Sequence, residues 1–127
     1  MIITEMKPYG LIKEKLNKED KICVIACNAC ARMCETGGEK ELNEITEKLN
    51  NDGFNVVSKL LVPVACDYDQ LKRAKPKGDI FIVLACDAGV FNVKKMFPDK
   101  KVISALDTIG LGAWDESGDI HLVREFK

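Results

Sequence analysis

Asp79-Ile80-Phe81-Ile82-Val83-Leu84-Ala85-Cys86-Asp87 is the stretch on which the fold turns. Its apolar residues do not alternate with polar ones, so a strand built from them is buried on both faces. That is the pattern of a central strand in a parallel sheet covered by helices on either side. Pro76-Lys77-Gly78 supplies a turn before it. Asp87 behind it is placed to cap a helix whose face is Val90, Val93 and Phe97, and Pro98 stops that helix.

Upstream, Lys21-Ile22-Cys23-Val24-Ile25-Ala26 has the same buried-strand character, and Phe54 to about Leu61 reads as another strand. Pro63 either ends that strand or places it at a sheet edge. Between them, Thr36-Gly37-Gly38-Glu39 has the spacing of a capping box, followed by a stripe of Leu42, Ile45 and Leu49. Asn51-Asp52-Gly53 closes that helix. A helix from Pro8 to about Asn17 or Lys18 buries Tyr9, Ile12 and Leu16. Asp67 and Gln70 cap a short helix to about Lys75. Lys101 to Leu106 is a fourth strand, and Trp114 to Asp119 is a turn before the alternation of Ile120, Leu122 and Phe126. The expected architecture is α/β and three-layered, Rossmann- or flavodoxin-like. It has a four-stranded, mainly parallel sheet and a C-terminal antiparallel hairpin or extension.

The 127 residues suit one domain, 1–127, without linker or low-complexity tract. At 46% hydrophobic and 31% charged residues, the chain can fold and is not a disordered one. A net charge of -1 and 6% aromatic residues argue against nucleic acid as a partner. No apolar run approaches a membrane span, and the polar start Met1-Ile2-Ile3-Thr4-Glu5-Met6 does not read as a signal peptide. A cytoplasmic protein is expected, where six cysteines do not suggest a disulfide framework.

The cysteines follow a phrase. Ile25-Ala26-Cys27-Asn28, Val64-Ala65-Cys66-Asp67 and Leu84-Ala85-Cys86-Asp87 each place Ala-Cys-Asn/Asp where an apolar segment ends. Strands joined by right-handed crossovers point the same way, so Cys27, Cys66 and Cys86 should meet at the C-terminal edge of the sheet. A helical turn over Asn28 to Met33 would bring Cys27, Cys30 and Cys34 onto one face. The free N–H groups at the Gly37-Gly38 helix start would then face an anionic cluster. Cys23, inside its strand, reads as a core residue.

Four thiolates and a spare suit an iron–sulfur cluster or zinc. The favoured ligands are Cys27, Cys30, Cys34 and Cys66, with Cys86 fifth or substituting. Three local cysteines plus a distant one favour 4Fe-4S over zinc, which commonly uses two paired knuckles or histidine. Cys27-x-x-Cys30 alone also permits a dithiol oxidoreductase. Cys23-x-x-x-Cys27-x-x-Cys30 has the spacing of radical S-adenosylmethionine enzymes, which need a larger barrel domain. His121 reads as a surface or packing residue. Asp67, Asp87 and Asp107 read as caps or turn formers, and Gly110-Leu111-Gly112 is too short for a dinucleotide loop. No catalytic residue set emerges.

Cys27-Asn28-Ala29-Cys30-Ala31-Arg32-Met33-Cys34-Glu35-Thr36-Gly37-Gly38-Glu39-Lys40-Glu41 resembles the Cys-x-x-Cys-x-x-x-Cys-x-x-Gly-Gly-Glu-Lys-Glu segment of the methylenetetrahydrofolate reductase C-terminal domain family. The start at Met1 to Glu5, the Ala85-Cys86 strand end and Phe97-Pro98-Asp99-Lys100 are similar to that family too. The resemblance implies a small iron–sulfur or zinc companion of the flavin-containing methylenetetrahydrofolate reductase in one-carbon metabolism. Such a companion would serve electron transfer or docking and would not be catalytic alone. Family members commonly continue into a second cysteine-rich segment, which these 127 residues do not contain.

Overall fold

The computed structural model describes all residues 1–127. The parallel sheet is built from β2 (Lys21–Cys27), β3 (Asn55–Val62), β4 (Ile80–Leu84) and β5 (Lys101–Ser104), in the order β3-β2-β4-β5. All three pairings are parallel, with Ala26 opposite Leu84 and Cys27 opposite Val62. This is the flavodoxin-like order, in which the chain first adds a strand on one side of β2 and then crosses to the other. The reversal falls between β2 and β4, and their C-terminal ends flank the resulting crevice.

Helices cover both faces. On one side α1 (Tyr9–Lys13) and α3 (Gly38–Asn51) bury Ile12, Leu42, Ile45 and Leu49 against Ile22, Val24, Ile82 and Leu84. On the other, α4 (Tyr68–Arg73) and α5 (Asp87–Met96) bury Leu71, Val90 and Val93 against Cys23, Ile25, Phe81 and Val83. The uninterrupted apolar run in β4 thus feeds two cores at once, odd and even positions serving opposite faces. Cys23 is fully buried in the second of them. α2 (Cys30–Met33) is a single turn between β2 and α3.

The C-terminal hairpin is present, formed by β6 (Leu106–Trp114) and β7 (Ile120–Glu125). It does not pair with the parallel sheet. Instead, β6 pairs antiparallel with β1 (Ile2–Met6), making a separate three-stranded sheet in the order β1-β6-β7. β1 has little apolar alternation, and its pairing partner lies about a hundred positions away, so local pattern does not announce it.

Three helix boundaries differ from the sequence expectation. α1 ends at Lys13, because Lys15 and Leu16 donate to the carbonyls three residues back and tighten the chain into a turn. The capping box at Thr36 does not form. Gly37 is the N-cap of α3, and the Thr36 hydroxyl donates instead to the Ala31 carbonyl at 3.1 Å. Since a hydroxyl has one proton, Thr4 is then the donor in the buried 2.6 Å Thr4–Thr36 bond that ties β1 to this loop. Asp87 is the first residue of α5, and Cys86 occupies its N-cap. Asp67 does cap α4, accepting from the N–H groups of Asp69 and Gln70.

Candidate thiol site at the C-terminal edge of the sheet

Cys27 closes β2 and points into the same face as Cys23 and Ile25, because side chains two apart share a face. Cys86 follows β4 directly. Cys66 lies in the turn after β3, beyond Pro63, and Cys30 opens α2. These four thiols, with Ala29, Ala31, Ala65, Ala85 and Gly89, line one depression of about 30 Å³. The convergence of Cys27, Cys66 and Cys86 expected from strand handedness is therefore present, and Cys30 joins them.

The alanines of two of the three Ala-Cys phrases have a packing reason. Ala65 and Ala85 are buried against α5 where Gly89 leaves room, and a Cβ on Gly89 would come within 2.7 Å of the Ala85 Cβ. Any larger side chain would push α5 off the strand ends. The Ala65 N–H donates to the Cys27 sulfur at 3.4 Å, tying the turn after β3 to the end of β2. Burial raises the Cys66 thiol above its ordinary range, and the neighbouring thiols of Cys86, Cys27 and Cys30 push it further up. These three thiols are therefore close enough to oppose ionisation of Cys66, an opposition that a cation placed among them would relieve. The donor set is chemically that of a tetrathiolate centre. No three of the chain's Cys, His, Asp and Glu side chains are drawn close enough to hold a metal ion without moving. All six cysteines are free thiols.

Cys34 is placed elsewhere. Its thiol faces the Ile2 carbonyl at 3.6 Å, in a groove shared with Met33, Ile3, Ile109 and Leu122 beside the antiparallel sheet. The expectation that Cys27, Cys30 and Cys34 share a helical face fails because Cys27 belongs to a strand. Helix α2 lasts only to Met33, leaving Cys34 as its C-cap. Glu35, at φ 58°, then turns the chain towards α3. The start of α3 also does not face the thiols. It opens on a polar cleft lined by Asn28, Arg32, Glu35, Gly37, Gly38 and Glu39, among others, with no cysteine in it.

The remaining candidates have structural roles. Nε2 of exposed His121 bonds Asp115 at 2.7 Å across the β6–β7 turn, and this contact holds the Asp115 carboxyl below its ordinary range. Asp107 pairs with Lys7 at 3.7 Å on the surface. Gly110 and Gly112 lie within β6. Reading by motif alone missed Asn92, whose side chain donates to the Ala65 carbonyl in the Cys66 turn, while Gln70, read as part of a helix cap, also accepts from the Val64 N–H of that turn. The available signal for Asn92 was a polar residue sitting next to Val93 on an otherwise apolar helix face.

No protein-family model, curated protein or solved structure matches this chain. No helix is long and apolar enough to cross a membrane.

Proposed function

We propose that this chain is a metal-binding protein whose site is the depression formed by Cys27, Cys30, Cys66 and Cys86. The observation that carries the reading is the arrival of four thiols, from the end of β2, the start of α2 and the segments after β3 and β4, at one small apolar depression at the topological switch point. Open α/β sheets place ligands there. Cys86 takes the position that the sequence pattern offered to Cys34. An iron–sulfur cluster of the 4Fe-4S kind is the favoured occupant, and when bound it would supply one-electron transfer. The protein's part is to provide four sulfurs, to lend the Ala65 N–H to the Cys27 sulfur, and to surround the site with small apolar residues. Closing the four sulfurs on a common centre requires them to draw closer together than they stand here.

The resemblance to the methylenetetrahydrofolate reductase C-terminal domain family supports a partner role. In that reading the chain docks on a flavin-containing methylenetetrahydrofolate reductase in the cytoplasm, with no chemistry of its own beyond the metal site. A structural zinc ion is the second reading. It is favoured by the small volume of the depression, about 30 Å³.

Anaerobic purification followed by reconstitution with iron and sulfide tests the proposal. The expected result is a broad absorption near ~400 nm together with iron and acid-labile sulfide in the protein. Colourless protein with stoichiometric zinc would select the second reading. Protein that takes up neither, and instead cycles a Cys27–Cys30 disulfide, would replace both with a dithiol oxidoreductase.

A further inference from the structure

Asn92 is a buried polar side chain in α5, beside Val90 and Val93. Asparagine is a weak helix former, and burying its amide costs free energy unless the amide is bonded. Its partner lies outside its own helix. Nδ2 donates at 3.2 Å to the Ala65 carbonyl in the turn between β3 and α4. Ala65 in turn directs its N–H to the Cys27 sulfur, and Cys66 is the next residue. One turn earlier on α5, Gly89 lies against Ala65 and Ala85, and the helix opens on Cys86 as its N-cap. One rigid element therefore addresses two thiols, Cys86 through its start and Cys66 through Asn92. The turn's other polar bonds, Val64 N–H to Gln70 Oε1 and Asp67 N–H to the Val64 carbonyl, are local and do not reach α5.

We propose that Asn92 is a positioning residue for the thiol site, holding the Cys66 turn in place beside Cys86 and Cys27 through its bond to the Ala65 carbonyl. The inference rests on reading the four thiols as a ligand set. Without the amide, the buried Ala65 carbonyl loses its donor. The turn then relaxes towards water and carries Cys66 away from the other sulfurs. Groups that orient metal ligands in this way commonly change affinity by about 10- to 100-fold when removed.

The test compares Asn92→Leu, similar in size but with no donor, with Thr46→Val. The latter removes a buried 2.7 Å side-chain bond to the Leu42 carbonyl in α3, on the opposite face of the sheet. Parent and variants are titrated with Co(II) under reducing, anaerobic conditions, following the thiolate-to-cobalt charge-transfer band. The metal-free proteins are also alkylated, and each cysteine's rate is read by mass spectrometry. The expected result is a cobalt affinity lowered about tenfold or more in Asn92→Leu and unchanged in Thr46→Val. Cys66 should alkylate severalfold faster in Asn92→Leu, with the Cys30 rate unaltered. If Asn92→Leu does not fold, Asn92→Ser, too short to reach Ala65, takes its place. Equal affinity and equal Cys66 rates in parent and variant would overturn the inference, as would equal losses in Asn92→Leu and Thr46→Val. A parent that binds no cobalt would sink the metal reading separately, and the Cys66 rate alone would then decide the role of Asn92.

Discussion

β4 and β7 are strands of similar length with opposite surroundings. Every residue of Ile80–Leu84 is buried, whereas five of the six residues of Ile120–Glu125 are exposed and the sixth is half-buried. The parallel sheet is covered by helices on both faces and carries both cores. The antiparallel sheet ends in an edge strand with Leu122 and Val123 facing solvent. The difference separates two jobs. The parallel half supplies stability and holds four thiols at its C-terminal edge, and the antiparallel half is fastened beside it. Cys34, bonded to the Ile2 carbonyl, belongs to the second half although only four positions separate it from Cys30.

The largest expected contrast lies in truncation of the two strands. Phe81 is fully buried and stacks on Phe97 at 4.3 Å between ring centres, so Phe81→Ala should cost about 3–5 kcal/mol in urea unfolding. Val123→Ala in β7 should change stability by no more than ~0.5 kcal/mol. Similar losses at both positions would erase the distinction between the halves.

The seam between β2 and β4 comes next. A Cβ on Gly37 would approach the Ala31 Cβ to 2.6 Å and the Cys27 carbonyl oxygen to 2.8 Å. Gly37→Ala should therefore cost about 1–3 kcal/mol by overpacking, and in a metal titration it should disturb Cys27 more than Cys34. Asp67→Ala, which removes two bonds to the start of α4, should cost roughly 1 kcal/mol.

The parallel half was legible because its signals are local. The continuous apolar run of β4, the capping Asp67 and the three Ala-Cys phrases each carry their meaning in a few residues, and handedness turns three strand ends into one edge. The antiparallel half was only partly legible. The Trp114–Asp119 turn marks the hairpin, but the pairing of β1 with β6 depends on contacts between the two ends of the chain. Thr36 and Cys34 misled for different reasons. The Thr36 hydroxyl is engaged by Ala31 and Thr4 instead of the start of α3, and Cys34 parts from Cys27 because Cys27 ends a strand and α2 stops at Met33. The fourth thiol at the depression is Cys86 and not Cys34, a choice made by a strand end and not by sequence proximity.

The smallest predicted effect is a pH dependence. Burial pushes the Cys23 thiol above its ordinary value of 9.0, with weaker opposition from bonds to Ser58 and Lys77. Because the folded chain keeps this proton longer than the unfolded one, the stabilising contribution is fully present below about pH 9 and is lost as pH rises through the folded value. Urea midpoints measured upwards from pH 8 should fall, and the fall should be shallower in Cys23→Ala. Identical slopes would show that the alkaline loss comes from other groups.

The central claim is that the four thiols at the parallel sheet edge form one ligand set and that Cys34 lies outside it. The most direct measurement is the metal content, after anaerobic reconstitution, of Cys86→Ala beside Cys34→Ala. The account predicts that Cys34→Ala keeps the parent's metal and its spectrum, whereas Cys86→Ala loses both. Retention in Cys86→Ala with loss in Cys34→Ala would contradict it.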